Sequence, residues 1–379
     1  MFGNPSDLAF HQSNDDDPYI SLTKIEEDEE RQELEILPQD NLLVVAKTED
    51  DVSYLEVHVY EDASDNLYVH HDVMLPSYPI CVECMDFRAA TGDHTTPGNF
   101  AAVGMIEPDI EIWDLDTVDA IYPNAVLGRS KEKRKKRKKR SEKYHVDAVL
   151  CLAWSPQHRS LLASGSADHT IKLWDLATLT CAQSYAYHKD KVSTLAWSFV
   201  EPTVLLSGGY DQRVVMADMR APEGEMTQWE LPSDIESVKW DPHRPDHFFA
   251  TSDDGMIRLF DSRGGSESKA VWQLHAHDGA VAAFAVNPTI PGFLASASSD
   301  SIVKIWNVQA EGPSMVASQD LGTGKHFSLN FAPDAEVAFR LAVAGSGGVA
   351  QVWDTSINPM IRKTFAAKGR DVPADAKTM

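Results

Sequence analysis

Aromatic slots about 45 residues apart, a second tryptophan series in the same register, and four strand-like runs per interval predict one fold class: an all-β, seven-bladed propeller. The slots close short β-branched runs: Ile110-Glu111-Ile112-Trp113-Asp114, Ile171-Lys172-Leu173-Trp174-Asp175, Val214-Val215-Met216-Ala217-Asp218, Ile257-Arg258-Leu259-Phe260-Asp261, Val303-Lys304-Ile305-Trp306-Asn307 and Ala350-Gln351-Val352-Trp353-Asp354. Their intervals are 61, 43, 43, 46 and 47 residues, and removing a 15-residue basic insert (129–143) reduces the first to 46. Trp154, Trp197 and Trp240 form the second series, 43 apart and each 20 residues before its slot.

The third unit shows the four runs most plainly, at Val149–Trp154, Leu161–Ser164, Ile171–Trp174 and Thr180–Tyr185, separated by Pro, Gly, Asp and Ser. A four-stranded unit has two apolar faces and must stack against neighbours to cover them. Leu55–Tyr60 supplies an earlier strand of the same kind, so Tyr60, Trp113, Trp174, Ala217, Phe260, Trp306 and Trp353 mark seven blades. The first has runs at Asn41–Ala46, Leu55–Tyr60 and Leu67–His71 and no recognisable innermost strand.

Of the 379 residues, 43% are hydrophobic and 24% charged, enough for a sizeable core. Four cysteines do not make a disulfide scaffold and suit a reducing compartment. No run of 18 apolar residues exists, Met1–Phe10 lacks the cation of a secretory signal, and Pro288 spoils the glycosylation pattern at Asn287, so an intracellular, soluble protein is expected. The formal charge of −24 argues against coating nucleic acid with the average surface.

That charge is uneven. Residues 1–62 hold 18 acids and 3 bases, and the Glu26–Glu30 run is too like-charged to pack. Residues 1–32 are therefore expected to be an acidic, largely disordered segment, 33–366 the propeller and 367–379 a flexible tail. Against this stands one basic island with 11 bases and 2 acids between Arg129 and Lys143. Its core, Lys131, Lys133, Arg134, Lys135, Lys136, Arg137, Lys138, Lys139 and Arg140, reads as a nuclear import signal, a phosphate-binding finger, or both. A solvated loop is the plainer alternative.

Motifs for catalysis or metal binding do not hold up. Cys81-Val82-Glu83-Cys84 has no second pair, and on a strand positions i and i+3 face opposite ways. Cys151 and Cys181 fall on expected strands as packed thiols. Gly322-Thr323-Gly324-Lys325 lacks the first glycine of a phosphate loop and puts His326 where Ser or Thr would hold magnesium. His70-His71 sits on an alternating strand without a carboxylate pattern. No metal, cofactor, small-molecule substrate or enzyme activity is expected.

At this point the residues resemble the WD-repeat propellers, over almost the whole chain. That resemblance implies a buried, hydrogen-bonded His, Ser, Asp and Trp inside a blade. His145, Ser164, Asp168 and Trp174 match it in the third unit, and His277, Ser296, Asp300 and Trp306 in the sixth. The fourth has His188, Ser207 and Asp211 with Ala217 in the tryptophan slot. The fifth keeps Asp254 with Phe260 and has no histidine; the seventh has Gly347 in the aspartate place, and the first two match poorly. These residues look catalytic on paper but read as structural.

The order of features is similar to one branch, the periodic tryptophan protein 1 family. The matching text includes Asn14–Ile20, Asp40–Val44, Leu55–Tyr60, Tyr68–Asp72, Ile110–Asp116, the Lys/Arg insert and His145–Leu150. The resemblance implies a nucleolar, non-catalytic factor of large-subunit assembly and rRNA processing, with links to chromatin. Family members resemble each other from an earlier segment with a tryptophan-bearing strand and an acidic linker. This chain starts inside that region, so a truncation that leaves an unpaired strand edge at the ring closure is expected.

The insert should project from the face carrying the connections between blades, after an outer strand at about Ala120–Leu127. There it would grip pre-rRNA while the acidic body accepts basic ribosomal proteins, with Lys189, Lys191, Tyr210 and Arg213 on neighbouring loops. Two alternatives remain open: a chromatin propeller holding histone tails, and a substrate receptor of a cullin ubiquitin ligase. The second takes Arg220 in Asp218-Met219-Arg220 and Arg263 in Asp261-Ser262-Arg263 as ligase-adaptor contacts.

Overall fold

The computed structural model describes Ile36 and residues 41–89, 97–118, 120–128, 141–221, 224, 226–309 and 312–366. Seven antiparallel sheets follow one another along the chain. The first comprises β1 (Asn41–Glu49), β2 (Val52–Glu61) and β3 (Asn66–Leu75); the second β4 (Pro79–Met85), β5 (Phe100–Met105), β6 (Ile110–Asp114) and β7 (Ala125–Leu127). The third holds β8 (Val149–Trp154), β9 (Leu161–Ser166), β10 (Ile171–Asp175) and β11 (Thr180–Tyr185); the fourth β12 (Val192–Trp197), β13 (Val204–Gly209), β14 (Arg213–Asp218) and β15 (Thr227–Glu230). The fifth has β16 (Ile235–Asp241), β17 (Arg244–Ser252), β18 (Met256–Asp261) and β19 (Trp272–His275); the sixth β20 (Ala283–Val286), β21 (Phe293–Ala297), β22 (Val303–Gln309) and β23 (Gly312–Gln319). The seventh is β24 (His326–Phe331), β25 (Arg340–Gly345) and β26 (Ala350–Asp354), followed by helix α1 (Pro359–Phe365).

From the second sheet onward each sheet enters at its inner strand, and these inner strands pack on one another in turn: β4 on β8, β8 on β12, β12 on β16, β16 on β20 and β20 on β24. The chain is thus a seven-bladed propeller, as the periodicity predicts. The second tryptophan series acquires a purpose here. The Trp197 indole donates to the Ala153 carbonyl at 3.0 Å, and Trp240 to the Ala196 carbonyl at 3.2 Å, each reaching the inner strand of the preceding blade. Close approach fixes another repeated position. A Cβ on Gly165 would lie 2.6 Å from Cys151 Sγ, and one on Gly104 2.5 Å from Cys81 Sγ.

Apolar clusters sit between blades and not within them. Met85, Ile110 and Ile112 of the second meet Val149, Leu162 and Trp174 of the third, and equivalent clusters fill the next four junctions. Leu55, Val57 and Val73 join the first blade to Ala101, Val103 and Trp113 of the second. The junction between seventh and first differs. Arg340 on β25 bridges Asp62 and Asp354, and its guanidinium lies 5.9 Å from the Tyr60 ring centroid. Among the described residues, no apolar cluster spans that junction.

Two blades have three strands among the described residues. The first runs β1-β2-β3 with β3 leading to β4, so β3 is outermost and, among the described residues, no strand stands inside β1. Among the described residues the seventh has no outer strand. Burial agrees: β5 is buried along its whole length, whereas its counterpart β1 is half-exposed from Asn41 to Lys47. Phe327 on the inner strand β24 is 65% exposed. One expected boundary moves. The outer strand of the second blade begins at Ala125 and not near Ala120, because Ile121 and Tyr122 stand 80% and 83% exposed before Pro123.

Candidate functional site

The His-Ser-Asp-Trp sets assemble where the sequence puts them. In the third blade the Trp174 indole donates to Ser164 Oγ at 2.8 Å, and Ser164 lies 2.7 Å from His145 Nε2. His145 Nδ1 lies 3.0 Å from Asp168 Oδ2, which also accepts the Val146 amide. One proton arrangement satisfies the chain: indole to serine, serine to Nε2, Nδ1–H to carboxylate. Thr170 adds a bond from Oγ1 to Asp168 Oδ1 at 2.5 Å. The sixth blade repeats the pattern, with Trp306 to Ser296 at 2.8 Å, Ser296 to His277 at 2.8 Å and His277 to Asp300 at 2.9 Å.

Burial pushes the His145 and His277 imidazoles below their ordinary pKa, against the upward pull of Asp168 and Asp300. Burial opposes ionisation of Asp168, but bonds from His145, Thr170 and Val146 outweigh it and hold the carboxyl well below the usual range. Ser164 and Ser296 are fully buried and the two histidines 1% exposed, so no substrate reaches them. These groups stiffen blades.

Other blades substitute. In the fourth, His188 bonds Asp211 at 2.9 Å and Ser207 at 2.8 Å, and the Ser207 hydroxyl lies 3.4 Å from the Val215 carbonyl with no indole to donate to it. Tyr185 of the preceding blade, 3% exposed, packs in the space beside Ala217. In the fifth, which has no histidine, Arg258 donates to Ser252 at 2.6 Å and pairs with Asp254 at 2.7 Å. In the second, the Trp113 indole finds Glu111 at 3.2 Å. The signal for Arg258 was present: the position two before the slot is also basic in Lys172 and Lys304.

Of the basic insert, 129–140 lie outside the described residues, so Lys131 to Arg140 are not placed; its two roots are. Gly128 takes φ 157°, where a Cβ would run into Asp109. On the far side, Lys172 is fully buried and donates to the Ser141 carbonyl at 2.7 Å and to Ser184 Oγ at 2.7 Å. Cys181 Sγ reaches the Glu142 carbonyl at 3.2 Å. Its described flanks, Gly128 after β7 and Ser141 beside β10, belong to the connection between the second and third blades; such connections between blades run on one face of the ring, here called the upper face. Lys189 and Lys191 share that face, whereas Arg213 lies on β14, not on a loop, and pairs with Glu230 at 2.8 Å. Asp234, Glu236 and Asp253 surround Tyr210 closely enough to raise its pKa, after burial as the main cause.

Arg220 and Arg263 adopt one geometry on adjacent blades at the lower face. Arg220 folds onto Asp218 and Arg263 onto Asp261, at 2.6 and 2.8 Å, with both side chains exposed. Cys81 is half-buried, its Sγ donates to the Val149 carbonyl, and its thiol is pushed well up, so it is not a ready thiolate, while Cys84 is exposed. Among the described residues, no group of three or more His, Cys, Asp or Glu could hold a metal ion.

The family described as "WD domain, G-beta repeat" matches residues 137–175, 179–218 and 268–307. A chain of the mitotic checkpoint complex shares the fold with a TM-score of 0.59 at 18% identity, over 84% of this chain and 94% of that one. Shorter stretches are similar to a ribosome biogenesis protein WDR12 homolog of Chlamydomonas reinhardtii (33% over 26% of this chain) and a histone-binding protein of Saccharomyces cerevisiae (29% over 34%). Nearly the whole chain aligns with an uncharacterised WD repeat-containing protein of Schizosaccharomyces pombe, 51% identical over 97% of this chain and 72% of that one. Periodic tryptophan protein 1 of Saccharomyces cerevisiae is 38% identical over 99% of this chain and 73% of its own length. Six tryptophan-type slots, two complete polar networks and this end-to-end likeness agree: the chain belongs to the periodic tryptophan protein 1 family of WD-repeat propellers.

Proposed function

We propose that this propeller is a non-catalytic assembly scaffold of ribosome biogenesis, working in the nucleolus on large-subunit pre-rRNA. The carrying observation is the root of the basic insert. A buried lysine, Lys172, donates to the Ser141 carbonyl and to Ser184, which ties the residue just after the basic run to the third blade. A cationic run tied at one flank to an otherwise acidic body suits a division of labour. The run takes pre-rRNA phosphates, and the carboxylate-rich loops take basic proteins of the particle. The likeness to a ribosome biogenesis protein supports the same reading.

Replacing Lys133 through Arg140 with glutamine tests it. Pre-rRNA recovered after crosslinking should fall, and nuclear accumulation with it; wild-type levels of both sink the reading. About five phosphate contacts should weaken binding by roughly two decades between 50 and 200 mM salt. The likeness to a histone-binding protein favours a chromatin role as the second reading. Histone tail peptides, competed against pre-rRNA, separate the two. A cullin-ligase role predicts that adaptor co-purification disappears when Arg220 and Arg263 are both changed to alanine.

A further inference from the structure

We propose that the lower face carries a peptide-docking site between the fourth and fifth blades. It takes a partner segment that places an apolar side chain beside a lysine or arginine. The observation behind it is a break in a repeated pattern. On this face, loops of neighbouring blades are tied by side-chain hydrogen bonds. Arg159 reaches Asp86 at 2.8 Å, Gln157 reaches the Phe199 carbonyl, His243 the Asn287 carbonyl at 2.9 Å, and Asn287 the Ala338 carbonyl at 2.7 Å. Among the described residues, no such bond joins the 198–203 loop to β16 or β17. A cavity of about 360 Å³ lies there instead.

Its walls are apolar below and acidic at the rim. Met216, Trp240 and Pro245 form the apolar part, and Val200 stands at the mouth. Phe199 and Val200 are 54% and 62% exposed, large apolar surface that a loop tip gains nothing by showing to water. Glu201, Asp218 and Asp246 also line it. Among the described residues the guanidiniums around it are already engaged: Arg220 on Asp218, Arg244 on Asp241, and Arg263 on Asp261 and Asp246. Glu201 has no ion-pair partner among the described residues and is exposed, so the rim favours an added cation. An apolar side chain in the cavity, its neighbour on Phe199 and Val200, and a Lys or Arg on Glu201 match hydrophobic and electrostatic surface together. An acidic or phosphorylated segment fits the same place poorly, since it would face Glu201, whose charge Arg220, held on Asp218, only partly offsets.

The proposal does not rest on the RNA reading, because none of its residues belongs to the basic insert. The probe is a phage-displayed library of random twelve-residue peptides, selected on the full chain. Enriched peptides should share an apolar residue within two positions of Lys or Arg. Their affinity should fall at least tenfold on Glu201→Lys and on Val200→Asp, both exposed changes that leave the thermal midpoint in place. Met216→Trp, which fills the cavity, should abolish binding. Failure to enrich any consensus overturns the proposal. So does an acidic consensus, or a consensus whose binding survives both Glu201→Lys and Val200→Asp.

Discussion

Ser164→Ala is the sharpest test of the buried networks, because Ser164 is the middle link of a chain of three bonds. The hydroxyl accepts from Trp174 at 2.8 Å and meets His145 Nε2 at 2.7 Å, with no exposure to solvent. Removing it orphans two buried groups, an indole N–H and an imidazole nitrogen. At about 1–3 kcal/mol for each unsatisfied group, the cost should be roughly 2–5 kcal/mol. Ser207→Ala is the internal control. Ser207 has the same histidine contact at 2.8 Å but no indole donor, only a long 3.4 Å bond to the Val215 carbonyl. It should cost about half as much, near 1–3 kcal/mol. Urea unfolding of both variants, with hydrogen exchange to localise the loss to β8–β11 or β12–β15, measures the difference. Equal costs, or a larger loss at Ser207, would falsify the claim that the indole link carries a separate share.

Stability should also depend on pH. His145 and His277 bind protons more weakly folded than unfolded, since burial pushes their pKa down. Their contribution is complete above about pH 6.5 and drains away as pH falls through the folded values. Thermal midpoints from pH 7.5 to 5 should drop, and less so in His277→Gln; a rise on acidification contradicts the assignment. Arg340→Met should cost about 1–3 kcal/mol, a figure reduced for the partly exposed Asp62, and should speed amide exchange in β1, β2, β25 and β26 while β12–β15 stay protected. Gly165→Ala should lose about 1–3 kcal/mol because the new methyl meets Cys151 and Val192, an effect that Cys151→Ala should partly rescue in a double-mutant cycle.

Much of this architecture was readable from residues. Period and alternation located every blade, and in the third unit Val149–Trp154 and Thr180–Tyr185 agree with the strands residue for residue. The reason is physical: each blade is a local unit, so its pattern needs no distant partner to be legible. Compensation between residues was not readable. Tyr185 of another blade shares the cluster with Ala217, and Arg258 replaces a histidine from a position whose basic character repeats in Lys172 and Lys304, although the repeat does not show what it bonds. In both, a tertiary contact solves the problem with a pairing that the repeat pattern does not anticipate. The trimmed outer strand of the second blade failed for a simpler reason. Ile121 and Tyr122 look like strand residues yet face water, and composition alone cannot report which side is wet. The basic insert shows its roots through Lys172, a residue that reads as ordinary strand surface in the sequence.

The closing joint of the circle has a mechanical corollary. Six of the joints are greased with hydrocarbon, and their grip is indifferent to ionic strength, whereas the Arg340 clasp is held by charge and loosens as electrolyte rises. Among the described residues, then, one guanidinium does at this seam what a hydrocarbon layer does at each of the others, so a single substitution there removes the whole of what is seen to hold it.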